Sequence, residues 1–376
     1  MKVGIITINS AHNYGCMLQA WGLQEYIEKQ DIRAEIINYR LPVIDRLYQP
    51  INVNSKLAKV KEKKKLRCKL FLKFSEKGKR ATLKFNRFEN FIANELHTTR
   101  PFTNYEELKE SGIGNEYDIL VTGSDQVWNG SITGGLNKAY FLDFPTKPVK
   151  RISFASSIGK SELHSYELEY FERYLKNFDS LAVREQSAKE MLTAVTDKPI
   201  DVVVDPTLLL EVEDYEKLKK PSPYKQGYIL VHVINSDKQV KPIARELSKL
   251  TGLPIVHNRP NKKYRDELGH YDDAGVEEFL GLIENASYIV TNSFHATVFA
   301  IIYRRKFVTI PHGKYPERMM HLLNTMHLSQ YLITKKDELP DVEDWEIDYD
   351  KVHKRWARQR AESQKILNKE LGLELS

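Results

Sequence analysis

Thiols are scarce: Cys16 and Cys68 are the only cysteines in 376 residues, and no Cys-x-x-Cys pair occurs. That argues against a disulfide framework and against a structural zinc site built on paired thiols. Both read as buried or half-buried thiols, and no chemistry is assigned to Cys16. Long apolar runs are also missing. The longest, Tyr228–Ile234 and Val298–Tyr303, fall far short of the ~20 residues of a membrane span. The start, Met1-Lys2-Val3-Gly4-Ile5-Ile6, leads directly into a strand and lacks the basic region and cleavage site of a signal peptide. The chain is therefore expected in the cytoplasm. There is no P-loop, GxGxxG turn, Ser nucleophile elbow, His-x-x-x-His metal spacing or internal repeat. No cofactor and no metal ligand set is implied.

What is present suits two ordinary domains: 376 residues, 41% apolar and 10% aromatic. The net charge of +6 hides an asymmetry. Between Lys56 and Arg87 stand fourteen Lys or Arg and two Glu, a local +12 (14 − 2), so the rest carries −6 (6 − 12). Leu66, Leu70, Phe71 and Phe74 add an apolar stripe at helical spacing. Such a segment fits peripheral contact with an anionic membrane at its inner face, or a solvated helix on a domain edge. A nucleic-acid arm ranks last, because no nucleic-acid module accompanies it, and no nucleic-acid partner is expected.

β-branched runs alternate with helical patterns. Val3–Ile8, Ala34–Asn38, Ile119–Thr122, Arg151–Ser156 and Ser180–Val183 read as strands, with helices over Met17–Lys29 and from about Ser161 to Lys176. The pattern restarts after Pro199 with Val202–Val204, Tyr228–Ile234, Pro254–His257, Tyr288–Asn292 and Phe307–Ile310. Alternation of this kind predicts two Rossmann-like α/β domains with parallel sheets, GT-B-like in architecture. The expected boundaries are 1–198, with a basic helical insertion at 56–96, then 199–349, and a terminal helix over 350–376 that packs back on the first domain.

In open α/β sheets, ligands bind beyond the carboxyl ends of strands. Four features fall there. Asn13-Tyr14-Gly15 precedes the first helix, where a Gly lets backbone amides approach an anion. Gly123-Ser124-Asp125-Gln126-Val127-Trp128 follows a strand. Asp125 there fits a general acid or base, a sugar-orienting carboxylate, or a plain helix cap. Arg184, in Val183-Arg184-Glu185, suits a carboxylate or phosphate, or a salt bridge to a neighbour. Thr291-Asn292-Ser293-Phe294-His295 opens a helix with a group that can be charged near neutral pH. Arg318 is a further candidate cation.

Together these pieces resemble the polysaccharide pyruvyl transferase family. Asn13-Tyr14-Gly15 with Leu18-Gln19-Ala20, Gly123 to Trp128, Tyr140-Phe141-Leu142, Ser153 to Gly159, Val183-Arg184-Glu185, Asp205-Pro206-Thr207, Phe279-Leu280 and Thr291 to His295 occur in family order, ending at Arg318. The resemblance implies phosphoenolpyruvate as donor and a saccharide acceptor, free or lipid-linked, in a surface polysaccharide precursor. The product is a pyruvate ketal, with phosphate released. It implies Asp125, His295 and Arg184 as catalytic residues. It implies substrate contacts from Asn13, Tyr14, Gly15, Ser124, Gln126, Ser157, Asn292, Ser293 and Arg318. One departure stands out: some members carry a basic residue where this chain has Ser293. The alternative on the same frame is a GT-B-type glycosyltransferase using a nucleotide sugar.

Overall fold

The computed structural model describes residues 1–49, 70–71, 73–234, 238–257, 269–311 and 317–373. They form two compact units. The first comprises Met1–Lys69, Glu89–Leu210 and Arg358–Ser376, the second Leu70–Phe88 and Glu211–Ala357.

The first unit holds a six-stranded parallel sheet of β1 (Lys2–Ile6), β2 (Arg33–Ile36), β3 (Ile119–Thr122), β4 (Lys150–Ser156), β5 (Ser180–Val183) and β6 (Ile200–Val202). Its spatial order is β2-β1-β3-β4-β5-β6. The chain winds outward from β1 to β2, then returns to build the other side, so the order reverses between β1 and β3. Open sheets bind ligands at such a switch point. Ile6 pairs with Thr122 there, so the two following loops emerge side by side. Val3, Ile5 and Ile6 are fully buried, which fits a strand covered on both faces. The first helix runs Tyr14–Glu28 and buries Met17, Leu18, Ala20, Trp21, Leu23 and Ile27. It starts earlier than its apolar spacing indicated, because the Asn13 side chain caps it by accepting from the Gly15 N–H at 2.9 Å.

The second unit holds a five-stranded parallel sheet of β7 (Ile229–His232), β8 (Ile255–His257), β9 (Gly269–His270), β10 (Tyr288–Thr291) and β11 (Lys306–Thr309). Its order is β11-β10-β7-β8-β9, which reverses between β7 and β10. The helix Phe294–Ile302 that follows β10 is buried from His295 onward, as its nearly continuous apolar sequence requires.

Both units are parallel-sheet α/β folds, as the alternation of elements predicts. The boundaries differ. The expected break at 198/199 gives way to Leu210, because β6 pairs with β5 and completes the first sheet rather than opening the second. Of the expected basic helical insertion, residues 56–69 and 72 lie outside the described residues. Residues 70–88 group with the second unit rather than the first. Ion pairs give the reason: Arg80 meets Asp272 at 2.7 Å, and Arg87 meets Asp273 and Glu278 at 3.3 and 3.2 Å. The helix Tyr349–Glu370 supplies its last turns to the first unit. There Asn368 accepts from the Tyr26 hydroxyl at 2.9 Å, and the Ser363 hydroxyl accepts from the Val204 N–H at 3.1 Å. Among the described residues no helix is long and apolar enough to cross a membrane.

Candidate active site

The loop after β3 is held from below by aromatic packing. Trp128 is fully buried, stacks on Phe141 at 5.6 Å, and meets Phe171 and Phe178 edge-on. Its indole N–H donates to the Tyr140 carbonyl at 3.0 Å, which also accepts from the Thr122 hydroxyl at 3.0 Å. Val127, Trp128, Tyr140 and Phe141 are therefore scaffold, and they fix where residues 123–126 stand. Gln126 completes the turn by accepting from Asn129 at 2.8 Å, and it lies against Gly159. Gly159 has a φ of +62°, and an added Cβ would fall 2.0 Å from the Gln126 Oε1. A side chain there would sit on a left-handed backbone and push the Gln126 amide aside, so glycine suits the position best.

Asp125 is the chemical centre of this loop. It is buried and has a φ of 72°, a left-handed backbone that Asp tolerates better than most residues. Its Oδ1 accepts from the Gln126 N–H at 2.8 Å, its Oδ2 from the Cys16 thiol at 2.7 Å, and its carbonyl from the Ser157 N–H at 3.0 Å. Asp125 is not a helix cap. The next helix, Gly130–Thr133, is capped by Asn129.

Arg184 follows β5 and is buried, and its guanidinium faces protein carboxylate. Nη1 lies 2.6 Å from Asp205 Oδ2 and donates to the Ser124 hydroxyl at 3.2 Å, which in turn donates to Asp205 Oδ2 at 3.2 Å. Asp205 Oδ1 accepts from both the N–H and the hydroxyl of Thr207, at 3.0 and 2.7 Å. Burial by itself would make Arg184 easier to deprotonate, but the charges of Asp205, Glu185 and Asp125 outweigh it and hold the cation more firmly. Beside it, the Ser157 hydroxyl donates to Glu185 Oε1, while the buried Glu185 Oε2 has no hydrogen-bond partner among the described residues. Behind the group, Thr7 donates to the Ser124 carbonyl at 2.6 Å and accepts from Gln19 at 3.1 Å. The strand ends of β1, β3, β4, β5 and β6 thus meet in one buried polar network.

Burial pushes the Cys16 thiol well up, and the Asp125 charge and hydrogen bond push it further. At neutral pH the thiol stays protonated and donates to the carboxylate. In a Cys68→Ser background, Cys16 is expected to react slowly with iodoacetamide at neutral pH. Asp125→Asn removes two of the raising causes, so alkylation in that variant is expected to speed up. An unchanged rate between the two proteins would show that Asp125 does not govern the thiol.

The second unit repeats the theme with imidazoles. Asn292 clasps the loop after β7, accepting from the Ile234 N–H at 2.7 Å and donating to its carbonyl at 3.1 Å. Thr291 donates to the His232 carbonyl at 2.7 Å. Ser293 is the cap of the helix Phe294–Ile302, and His295 sits buried in its first turn with Phe294 edge-on at 5.1 Å. The carboxyl edge of this sheet also carries His232 and His257, both buried. Arg318 stands half-buried in the first turn of the helix Glu317–Met326. Residues 312–314, which precede it in the sequence pattern, lie outside the described residues.

Of the residues singled out in the sequence, Ser124, Asp125, Gln126, Ser157 and Arg184 come together in the first unit. Asn292, Ser293 and His295 come together in the second. Asn13 caps the first helix, with Tyr14 and Gly15 buried in its first turn. Asp205, Glu185, Cys16 and Gln19 do not stand among the site residues expected from the sequence, although Asp205 and Glu185 are ionisable groups next to predicted strand ends. His232 and His257 were also passed over. Each ends an otherwise apolar strand, and a lone imidazole there was the available signal. Among the described residues no group of His, Cys, Asp or Glu is suited to hold a metal ion.

Two parallel sheets, each with polar loops at its switch point, define a two-unit α/β protein of the Rossmann type. Solved structures with this fold include UDP-GlcNAc 2-epimerase from Neisseria meningitidis bound to UDP-GlcNAc, at 10% identity over 99% of both chains with a TM-score of 0.52. S. aureus MnaA with UDP is similar at 13% identity over 98% of this chain and 95% of that one, TM-score 0.50. No curated protein matches the chain in sequence. The polysaccharide pyruvyl transferase model matches residues 13–314, and the chain belongs to that family. It is accordingly an enzyme of the transferase type that acts on a saccharide acceptor.

Proposed function

We propose that the enzyme moves the three-carbon unit of phosphoenolpyruvate onto two hydroxyls of one sugar in a surface-polysaccharide precursor. Asp125 is the acid–base group in this reading. A proton goes to the methylene carbon, and the central carbon gains oxocarbenium character. One sugar hydroxyl adds to it, phosphate leaves, and the second hydroxyl closes the ketal. The two hydroxyl protons balance the proton delivered to carbon and the one left on phosphate or base. General acid–base help of this kind contributes ~10²–10⁴-fold.

The observation that carries the reading is Asp125 itself: a buried carboxylate at a sheet switch point, locked in orientation and not needed as a helix cap. Arg184 takes a different role from the one its motif suggests. Asp205 pairs with its guanidinium at 2.6 Å, and the charges of Glu185 and Asp125 act on it as well. That is a poor place for a dianion. Arg184 instead braces Ser124 and, through it, the Asp125 loop. The second unit, taken by itself, also offers an anion site at the N-terminus of the helix Phe294–Ile302, where Asn292, Ser293 and His295 stand.

The test is phosphate release from phosphoenolpyruvate against a panel of free and lipid-linked saccharides, with thermal shifts for phosphoenolpyruvate and for sugar nucleotides run alongside. Phosphate release with one saccharide is expected. Stabilisation by a nucleotide sugar, with none by phosphoenolpyruvate, would replace this reading by glycosyl transfer.

A further inference from the structure

The basic run does not behave as one piece. Its end is knitted into the second unit, where Arg80 and Arg87 face Asp272, Asp273 and Glu278, and Arg87 also donates to the Asp273 carbonyl at 2.9 Å. Those charges are answered within the protein. The turn before them is different. Leu70 and Phe71 are each 45% exposed and Phe74 is 65% exposed. The Ser75 N–H donates to the Phe71 carbonyl at 3.0 Å, so the backbone is helical there and the rings share one turn. The Lys73 amine lies 5.5 Å from the Phe74 ring centre, and Lys77 is exposed three residues further on. Among the described residues neither lysine pairs with a carboxylate. In the sequence immediately before this turn, residues 56–69 hold eight Lys or Arg and one Glu.

Large apolar side chains exposed among unanswered cations point to a partner with both an apolar and an anionic layer. A second copy of the chain would bring the same cations together. A nucleic acid would answer the lysines and leave Leu70, Phe71 and Phe74 in water. A bilayer with anionic headgroups answers both: the rings enter the headgroup–acyl boundary while the lysines meet lipid phosphates. We propose that Leu70, Phe71, Lys73, Phe74 and Lys77 dock the enzyme on an anionic membrane surface. This does not depend on the reaction assigned above. If the acceptor is lipid-linked, docking would bring the enzyme to the layer that holds it.

The experiment is co-sedimentation of the full chain with phosphatidylcholine vesicles, with and without phosphatidylglycerol. Wild-type protein is expected to sediment with the anionic vesicles only. The Phe71→Ser/Phe74→Ser double variant is expected to lose at least a factor of about ten in partitioning, and each of Lys73→Gln and Lys77→Gln roughly fivefold. All these side chains are exposed, so an unchanged melting temperature shows that the fold is intact. No binding to anionic vesicles overturns the proposal, and so does equal binding to neutral ones. Partitioning that ignores the phenylalanines also overturns it. Salt-sensitive capture of duplex DNA, indifferent to the same phenylalanines and stronger than vesicle binding, would assign the turn to nucleic acid instead.

Discussion

Replacing Asp205 by Asn is expected to lower the stability of the first unit by roughly 1.5–3 kcal/mol, the scale of a lost hydrogen bond between buried charged groups. Arg184 is 4% exposed and Asp205 1% exposed, so water cannot take the place of the lost carboxylate. The Ser124 hydroxyl remains as a neutral partner 3.2 Å away, and the charges of Glu185 and Asp125 still favour the cation, which limits the loss. Urea unfolding checks this directly. A loss below about 1 kcal/mol, the scale of exposed pairs, would mean that the Arg184–Asp205 pair does not hold this network together. The same pair governs how variants of Arg184 should be read. Arg184→Ala strands the buried Asp205 carboxylate, so lost turnover in that protein would reflect a loosened site and not a lost donor contact. Arg184→Met with Asp205→Leu removes both charges and is expected to be more stable than either single change.

Asp125→Asn is expected to cut turnover by about 10²–10⁴ while leaving the melting temperature nearly unchanged. Asn has the same shape and also accepts a left-handed backbone, here at φ 72°. Its side-chain oxygen can still accept from the Gln126 N–H. What disappears is the charge and the capacity to exchange a proton. Phosphate release and a thermal melt on the same preparation separate the two effects. Wild-type turnover in this variant would remove Asp125 from the chemistry.

The alternation of apolar strands and helical stripes made both parallel sheets legible, because period and length are local properties. Asp125, Ser124, Asn292 and His295 were legible because strand ends are where open sheets place ligands. The partner of Arg184 was not. Asp205 lies beyond β6, twenty-one residues on, and only the pairing of β5 with β6 brings the two together. The first domain boundary was misread for the same reason. β6 is three residues long and follows Pro199, so it looks like a new beginning until its neighbour is known. The fate of the basic run turned on Asp272 and Asp273, nearly two hundred residues away, which no local pattern connects to Arg80 and Arg87.

Neither unit is a single stretch of the gene. Residues 211–357 expressed alone would lack Arg80 and Arg87, which pair with Asp272, Asp273 and Glu278, and among the described residues Glu278 would keep only Lys220. Residues 1–210 would lack Ser363 and Asn368 from the terminal helix. A stop codon anywhere before that helix therefore damages the beginning of the protein, and cutting the chain at one point yields no intact half.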